Sequence, residues 1–406
     1  MPRHAQPVAL VTVDNVSSCD DLACVYVRED GSLCTPKNSR MDLSWAAKDG
    51  RVFRAVASCN ASLGAATKEG DVCFQRLYYK QDHTQDYRLL WYPVGREVCK
   101  ISVNGTTLYV LSHGELYRSQ GAELTRVHLC SATTPAVADV ATSNTHTLAL
   151  SDGGKVFAWG RNDCYQLGCM DLLHFVTDPQ EGTEGFAMDA SQEPRELPGR
   201  FTEHVREKLQ DIYGFEFETL NARVEHLRSV EFESVHAGLN YSLLLRDGKV
   251  FSFGHGETLG RDFDVFWFLE SMMAAKVDFD TDVKIASVCA GECSAHAICT
   301  KGCLYAWSAG MKPALLYNGG DGAAATRAMF STTHNEKTAV VTQIGTVLEL
   351  THDEITQQHT GPVFAWQRHV EAQCLALCMG GHARLGRGSR LGWVDKELYE
   401  MIARYL

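Results

Sequence analysis

The sequence predicts an all-β fold: a seven-bladed β-propeller of four-stranded antiparallel blades, with a helical insertion and a C-terminal helix. Three observations lead there. A hairpin unit recurs along the chain, and its turn glycines keep step with turn-forming residues about ten positions earlier. The shorter spacings between copies are about what a four-stranded blade needs.

The clearest unit is residues 139–168, DVATSNTHTLALSDGGKVFAWGRNDCYQLG. Ser143 and Asn144 turn into a short strand over 146–150, and Asp152, Gly153 and Gly154 turn into a second over 155–159. The second strand ends at Gly160, and a polar loop closes on Leu167 and Gly168. Two apolar strands joined by a glycine turn are a β-hairpin signal. One hairpin cannot bury its own apolar faces, so the unit should recur. It does, at 234–260 (SVHAGLNYSLLLRDGKVFSFGHGETLG) and at 287–307 (SVCAGECSAHAICTKGCLYAW).

Weaker copies follow the same template, with hairpin turns at Gly31, Gly70, Gly114, Gly153, Gly248, Gly302 and Gly345. Two residues beyond the glycine stands an aliphatic side chain: Leu33, Val72, Leu116, Val250, Leu304 or Val347, with Val156 one later. Ten residues before the turn stands Asp21, Asn60, Asn104, Ser143, Gly238 or Asn335, with Gly291 one earlier, all tolerant of turn geometry. The turns are 39, 44, 39, 95, 54 and 43 residues apart. The two longest gaps locate insertions at 169–230 and 261–284. Residues 1–370 are assigned to the propeller and 371–406 to a C-terminal loop and helix. Ring closure calls for a strand at 8–13 or at 362–366 to complete a shared blade.

The segments GKVFAWGRNDCYQLG and GKVFSFGHGETLG resemble the repeats of the regulator of chromosome condensation family. The resemblance is strong over 139–168 and 234–260, moderate over 287–307 and degenerate elsewhere, spanning about Val11 to Glu349. It implies a seven-bladed propeller. The competing WD-type propeller lacks support, because no Gly-His and Trp-Asp pair recurs at blade spacing. The name-giving member of the resembled family catalyses nucleotide exchange on a small nuclear GTPase and binds chromatin. This chain departs from it: it has no basic N-terminal arm, half its repeats lack the loop signature, and no motif receives the exchange residues.

Composition narrows the function classes. A net charge of −12 over 406 residues argues against coating DNA or an anionic membrane, which needs an excess of Lys and Arg. No apolar run approaches a membrane span, and the N-terminus shows no signal-peptide pattern. Fifteen cysteines without an export signal point to a reduced, intracellular setting, cytoplasmic or nuclear.

Cys289, Cys293, Cys299 and Cys303, with His296 among them, have a CxxxC…CxxxC spacing that invites a zinc site. The repeat register opposes it, since Cys289 and Cys299 stand where other copies have apolar residues. The plainer reading is small core or surface cysteines, and no metal or cofactor is assigned. His146 reads as a hydrogen-bonding core residue at a strand start. No phosphate-binding glycine loop, HExxH or GxSxG occurs, so no catalytic group is assigned and the chain is read as a non-enzyme.

Candidate binding surfaces lie outside the clearest repeats. Tyr78, Tyr79, Tyr87, Trp91 and Tyr92 form either a binding face or outer-strand packing, and packing is preferred. In the first insertion an acidic, Pro- and Gly-containing stretch reads as an extended loop. It precedes an amphipathic helix over 200–215 with Phe201, Val205, Leu209 and Ile212 on one face. The second insertion holds Phe263, Phe266, Trp267 and Phe268 with Leu269, Met272 and Met273, which either bind a partner or cover a blade edge. The C-terminal segment carries Arg384, Arg387 and Arg390 in a small basic loop. A helix over 394–406 follows, which resembles the helix opening F-box-type modules or caps the propeller.

The resulting expectation is a non-enzymatic scaffold for protein partners. The alternatives are a guanine-nucleotide exchange factor for a small GTPase and a ubiquitin-ligase substrate adaptor. Candidate contact residues are Phe263, Phe266, Trp267, Phe268, Arg384, Arg387 and Arg390.

Overall fold

A computed structural model describes residues 10–13, 23–27, 31–34, 43–59, 62–79, 85–130, 135–177, 184–213, 217–255, 258–262, 271–279, 282–291, 294–308, 311–317, 328–334, 337–342 and 347–351. Residues 352–406, with the basic loop and the C-terminal helix, lie outside these, as do residues 263–270 and 362–366.

Seven sheets of three or four antiparallel strands follow one another along the described chain. The first holds β1 (Leu10–Val13), β2 (Ala23–Val27) and β3 (Leu33–Cys34), and a short helix α1 (Ser44–Asp49) leads out of it. The second holds β4 (Phe53–Cys59), β5 (Ser62–Thr67), β6 (Asp71–Tyr79) and β7 (Gln85–Pro93). The third holds β8 (Lys100–Val103), β9 (Leu108–Ser112), β10 (Glu115–Gln120) and β11 (Glu123–Arg126).

The fourth sheet is interrupted. β12 (Val137–Thr142), β13 (His146–Ser151) and β14 (Val156–Gly160) are followed by a two-stranded ribbon, β15 (Leu173–Thr177) with β16 (Glu184–Met188). Only then does β17 (Ser191–Glu196) complete the sheet beside β14. Helices α2 (Glu203–Tyr213) and α3 (Phe217–Ser229) connect it to the fifth sheet. That sheet holds β18 (Ser234–Ala237), β19 (Tyr241–Arg246), β20 (Lys249–Gly254) and β21 (Ala275–Lys276). The sixth holds β22 (Ile285–Ala290), β23 (Ser294–Cys299), β24 (Leu304–Ser308) and β25 (Ala314–Tyr317). The seventh holds β26 (Ala328–His334), β27 (Lys337–Thr342) and β28 (Val347–Thr351).

The first strands of successive sheets lie against one another in the order β1, β4, β8, β12, β18, β22, β26, and β26 returns to β1. Each sheet is therefore packed between two others. β5, β13 and β23 are buried at every position. This explains why they mix small and apolar residues with buried Ser, Thr and His rather than alternating apolar with exposed polar ones. A Cβ on Gly64 of β5 would come within 2.7 Å of Leu108 in the neighbouring sheet.

The repeat template maps onto the backbone. Asn104, Ser143, Gly238 and Gly291 each sit in the turn between a first and a second strand. Each donates its N–H to the carbonyl three residues on, at 2.9–3.0 Å. The hairpin glycines Gly31, Gly70, Gly114, Gly248 and Gly302 have positive φ, between 72° and 93°. In the doubled pair it is Gly154, not Gly153, that takes this conformation, at φ 73°. Asp21, Asn60, Asn335 and Gly345 lie outside the described residues.

Within the first insertion, the stretch read as an extended loop instead contains the ribbon β15–β16 and the closing strand β17. The amphipathic helix is present as α2, with Val205 and Leu209 buried and Phe201 buried just ahead of it. α3 is a second helix the sequence reading did not foresee. Among the described residues, no helix is long and apolar enough to cross a membrane.

Candidate functional site

The joints between blades are built from the loops that close the repeats. After β14, Asn162 is buried and its Oδ1 accepts from the Leu167 N–H at 3.0 Å. Buried Gln166 accepts from the Cys164 N–H at 2.8 Å through Oε1. These bonds fold the loop so that Leu167 is fully buried and Gly168 lies against the Phe253 ring, where a Cβ would come within 3.0 Å. Ser242 of the fifth sheet donates to the Gln166 carbonyl at 2.8 Å.

The next blade repeats the device. Ser252 donates to the Leu259 carbonyl at 2.8 Å, and Trp307 of the sixth sheet donates its indole N–H to the Thr258 carbonyl at 3.0 Å. Leu259 is buried, and a Cβ on Gly260 would sit 2.8 Å from the Trp307 indole nitrogen. Two loops of different length thus place Leu-Gly as a wedge into the following blade.

His146 belongs to this joint. It is 2% exposed, and its Nε2 lies 2.8 Å from Ser242 Oγ. The Ser242 hydroxyl proton is committed to Gln166, so Ser242 accepts and His146 carries its proton on Nε2. Nδ1 then accepts; Thr145 Oγ1, 3.1 Å away, donates instead to the Leu239 carbonyl, which leaves Ser143 Oγ at 3.1 Å as the donor. Burial lowers the His146 pKa to about 3, so the ring is neutral. Burial likewise lowers His296, on β23, to about 3. These are structural imidazoles. Among the described residues, His146 is held by the Ser143 and Ser242 hydroxyls.

Around the inner ring, three blades meet at Asp139. Its Oδ1 pairs with Lys100 of β8 and accepts from the Val140 N–H at 2.8 Å. Its Oδ2 accepts from the Val235 N–H of β18 at 3.4 Å. Ser102 and Thr142 add a hydroxyl contact at 2.8 Å across the same joint. Burial, with the Lys100 charge behind it, pushes His236 down to about 4, and Asp139 opposes this. Asp139→Ala should therefore lower unfolding stability by about 1–3 kcal/mol, the cost of stranding a buried donor and losing a charge-assisted bond. Urea unfolding checks it, and a change within error would mean that Asp139 does not couple the three strands.

The cysteine set is split by strand parity. Cys289 is opposite His296 in the β22–β23 pairing, whereas Cys299 is opposite Ile285. Cys299 and Cys303 are buried with Ala295, Ala297 and Trp307 against residues of the fifth sheet, on the face of β23 opposite to that of His296. The two ends of the CxxxC…CxxxC pattern therefore face different neighbours. Among the described residues, no group of His, Cys, Asp and Glu is arranged to hold a metal. Cys293 lies outside them.

Tyr92 and Trp91 are on β7, the fourth strand of their sheet. Tyr92 is buried and donates to the Gly121 carbonyl of the third sheet at 2.8 Å. Trp91 stacks under the Arg51 guanidinium at 4.0 Å and edge-on to Trp45. The side chains of Tyr78, Tyr79 and Tyr87 lie outside the described residues.

The two insertions meet at the rim of the fourth and fifth blades. Met170, Leu173, Phe201, Val205, Leu209 and Val224 come from the first, Met272 and Met273 from the second, and all are buried in one cluster. Lys208 lies over the Phe175 ring at 4.7 Å, tying α2 to the ribbon. The second insertion is fixed at its near end, where Arg261 donates to the Ser252 and Met273 carbonyls and Asp262 pairs with Lys312 at 2.6 Å. Ser271 is buried at its far end. Phe263, Phe266, Trp267 and Phe268 fall between these anchors, outside the described residues, as do Arg384, Arg387 and Arg390. Met272 and Met273, weighed with that aromatic run as either partner-binding or blade-edge cover, are buried in the core shared by the insertions.

Residues 137–166, from β12 to the residue before the Leu-Gly wedge, match the model of the regulator of chromosome condensation repeat. The first three strands of the fourth blade thus match a regulator of chromosome condensation repeat. The fold agrees with solved propellers built from such repeats. The structure of yeast RCC1 (Prp20) bound to Kap60 superposes with a TM-score of 0.50 at 14% identity, over 75% of this chain and 71% of that one. A second structure of Prp20p from Saccharomyces cerevisiae, whose description covers its binding to Gsp1p and histones, gives 0.50 and 14% over 75% and 73%. Human WBSCR16 gives 0.50 and 13% over 81% of this chain and 85% of its own. At these identities the likeness is one of fold. No curated protein matches the sequence. The fourth-blade wedge follows directly on the matched residues, and the fifth blade sets the same Leu-Gly pair against its neighbour.

Proposed function

We propose that the chain is a non-enzymatic protein-interaction scaffold and that its partner is held where the two insertions meet on the fourth and fifth blades. One observation carries the reading: residues from two separate insertions share a single buried core at the rim. Loops that merely connect strands do not need a common core. Loops fixed on a rigid scaffold are where binding residues concentrate.

The contact residues proposed are Phe263, Phe266, Trp267 and Phe268, because aromatic side chains dominate interface energetics. Their run starts at the Asp262–Lys312 pair and ends at buried Ser271. Arg384, Arg387 and Arg390 are proposed as a secondary, charged contact. The partner is a protein rather than nucleic acid, given the net charge of −12. The fifteen cysteines suit a reducing intracellular compartment.

The test is an affinity pull-down from a native extract, with wild-type chain and the Phe266→Ala/Trp267→Ala variant side by side. The reading expects one assembly to be captured by the wild type and reduced at least tenfold in the variant, with unchanged circular dichroism. Retention of that assembly by the variant removes the aromatic contact. Capture of a small GTPase that added GTP releases would replace the scaffold reading with nucleotide exchange.

A further inference from the structure

We infer that Cys299 and Cys303 are a redox pair that closes to a disulfide when the chain meets a peroxide. The two residues flank the hairpin turn of the sixth sheet, Thr300-Lys301-Gly302. Gly302 has φ 83° and donates to the Cys299 carbonyl at 2.8 Å, and Cys299 donates to the Cys303 carbonyl at 2.9 Å. The register continues from this pair to Ile298 opposite Leu304. Cys299 and Cys303 are thus direct cross-strand neighbours.

Residues facing each other across an antiparallel pair stand about 4.5–5.5 Å apart at Cα, within the roughly 4.4–6.8 Å that a disulfide spans. Such neighbours project their side chains to the same face, and both sulfurs enter the same buried cluster beside Trp307. The Cys299 sulfur leans toward its neighbour: the Cys303 N–H donates to it at 3.4 Å. Both residues are thiols in this structure.

The two thiols differ in access. Cys303 is 8% exposed and follows the exposed residues Thr300 and Lys301, whereas Cys299 is 2% exposed. Cys303 is therefore the first to react. Its thiol is oxidised by the peroxide to a sulfenic acid with release of one water. The Cys299 sulfur then attacks the Cys303 sulfur. The S–S bond forms, the S–O bond breaks, and the leaving hydroxide takes the Cys299 proton as a second water. A dithiol reverses the reaction by exchange. Only three residues lie inside the closed loop, so the entropic gain in stability is small. The consequence is local, at the joint between the fifth and sixth blades.

The sequence makes the test direct. Trypsin cuts after Lys301 and separates the two cysteines, placing Cys299 in residues 285–301 and Cys303 in residues 302–327, since Lys312 precedes Pro313. The full chain is treated with dilute hydrogen peroxide, alkylated under denaturing conditions, digested without reductant and analysed by mass spectrometry. The expected product joins the two peptides with loss of two hydrogens, with fragmentation assigning the link to Cys299 rather than Cys289 or Cys293. That link should exceed any to Cys289 or Cys293 at least tenfold. Cys299→Ala should abolish it and leave a sulfenic acid on Cys303 that dimedone traps. The exposed Cys99 and Cys130 report that the oxidant acted. Oxidation of those two while Cys299 and Cys303 both carry the alkyl label overturns the inference, as does a Cys303 link to Cys289 or Cys293. The wild-type digest decides the matter even if the variant fails to fold.

Discussion

Trp307→Ala should lower unfolding free energy by about 3–5 kcal/mol, the range for removing a large buried aromatic side chain. Trp307 is wholly buried in the cluster that joins the fifth and sixth sheets, with the Phe279 ring edge-on at 6.0 Å. Its indole N–H is also the donor for the Thr258 carbonyl of the fifth-blade wedge. Truncation therefore removes apolar area, leaves a cavity, and strands a carbonyl. Trp307→Phe separates these effects, because it keeps most of the volume and loses the donor. Its cost should be about 1–3 kcal/mol, the price of an unmade buried hydrogen bond. Guanidinium unfolding followed by circular dichroism measures both. A loss below about 1 kcal/mol for the alanine variant would mean that the wedge does not hold the two blades together.

The second large effect is acid sensitivity. His146 and His296 are held neutral in the fold, each with a pKa of about 3 against an ordinary value of 6.5. Below pH 6.5 the unfolded chain takes up protons on these rings and the folded chain does not, so stability falls with pH. The stabilisation is complete above pH 6.5 and is lost progressively as pH drops toward 3. Each ring contributes a slope of about 1.4 kcal/mol per pH unit within that window. His236, lowered to about 4 by burial, adds a third such contribution over most of the window. Urea midpoints measured between pH 7.5 and pH 5 should therefore fall steeply, and His146→Gln should remove about a third of the slope. Carboxylates titrate lower, so the upper part of the window isolates the histidines. Equal midpoints at pH 7 and pH 5 would contradict a buried neutral state for either ring.

The hairpins were legible because two signals coincide in them. A short apolar-rich strand ends at a glycine that adopts positive φ, and a turn-former stands about ten residues earlier, so Gly70, Gly114, Gly248 and Gly302 mark their turns with little ambiguity. The wedges were half-legible. Leu167-Gly168 and Leu259-Gly260 end their repeats visibly in the sequence. That Gly168 meets Phe253 and Gly260 meets Trp307 depends on the neighbouring blade, which no local pattern encodes.

The fourth strands were the hardest to see. β21 is two residues long, and β11 is exposed or half-buried throughout, so neither carries an apolar rhythm. β17 was missed for another reason: the ribbon separates it from its partner β14 by some thirty residues of sequence. α3 (FETLNARVEHLRS) places its apolar residues among many polar and charged ones, so it carries no clear apolar stripe in the sequence; Val224 and Leu227 are buried. In the candidate site, the aromatic run was conspicuous by composition. The joint core of the two insertions was not, because its members come from segments far apart in the chain.

The contact between β26 and β1 carries a consequence for biogenesis. The first sheet leaves the ribosome early, yet the surface that covers one of its flanks is encoded beyond residue 328. At roughly 5–20 residues per second, that flank waits on the order of 15–60 s for its cover. During synthesis the chain is an open arc with two unsatisfied ends, one fixed early and one moving with each added blade. Whatever prevents nascent arcs from joining end to end, whether a chaperone or slow ordering of the first sheet, must act within that interval.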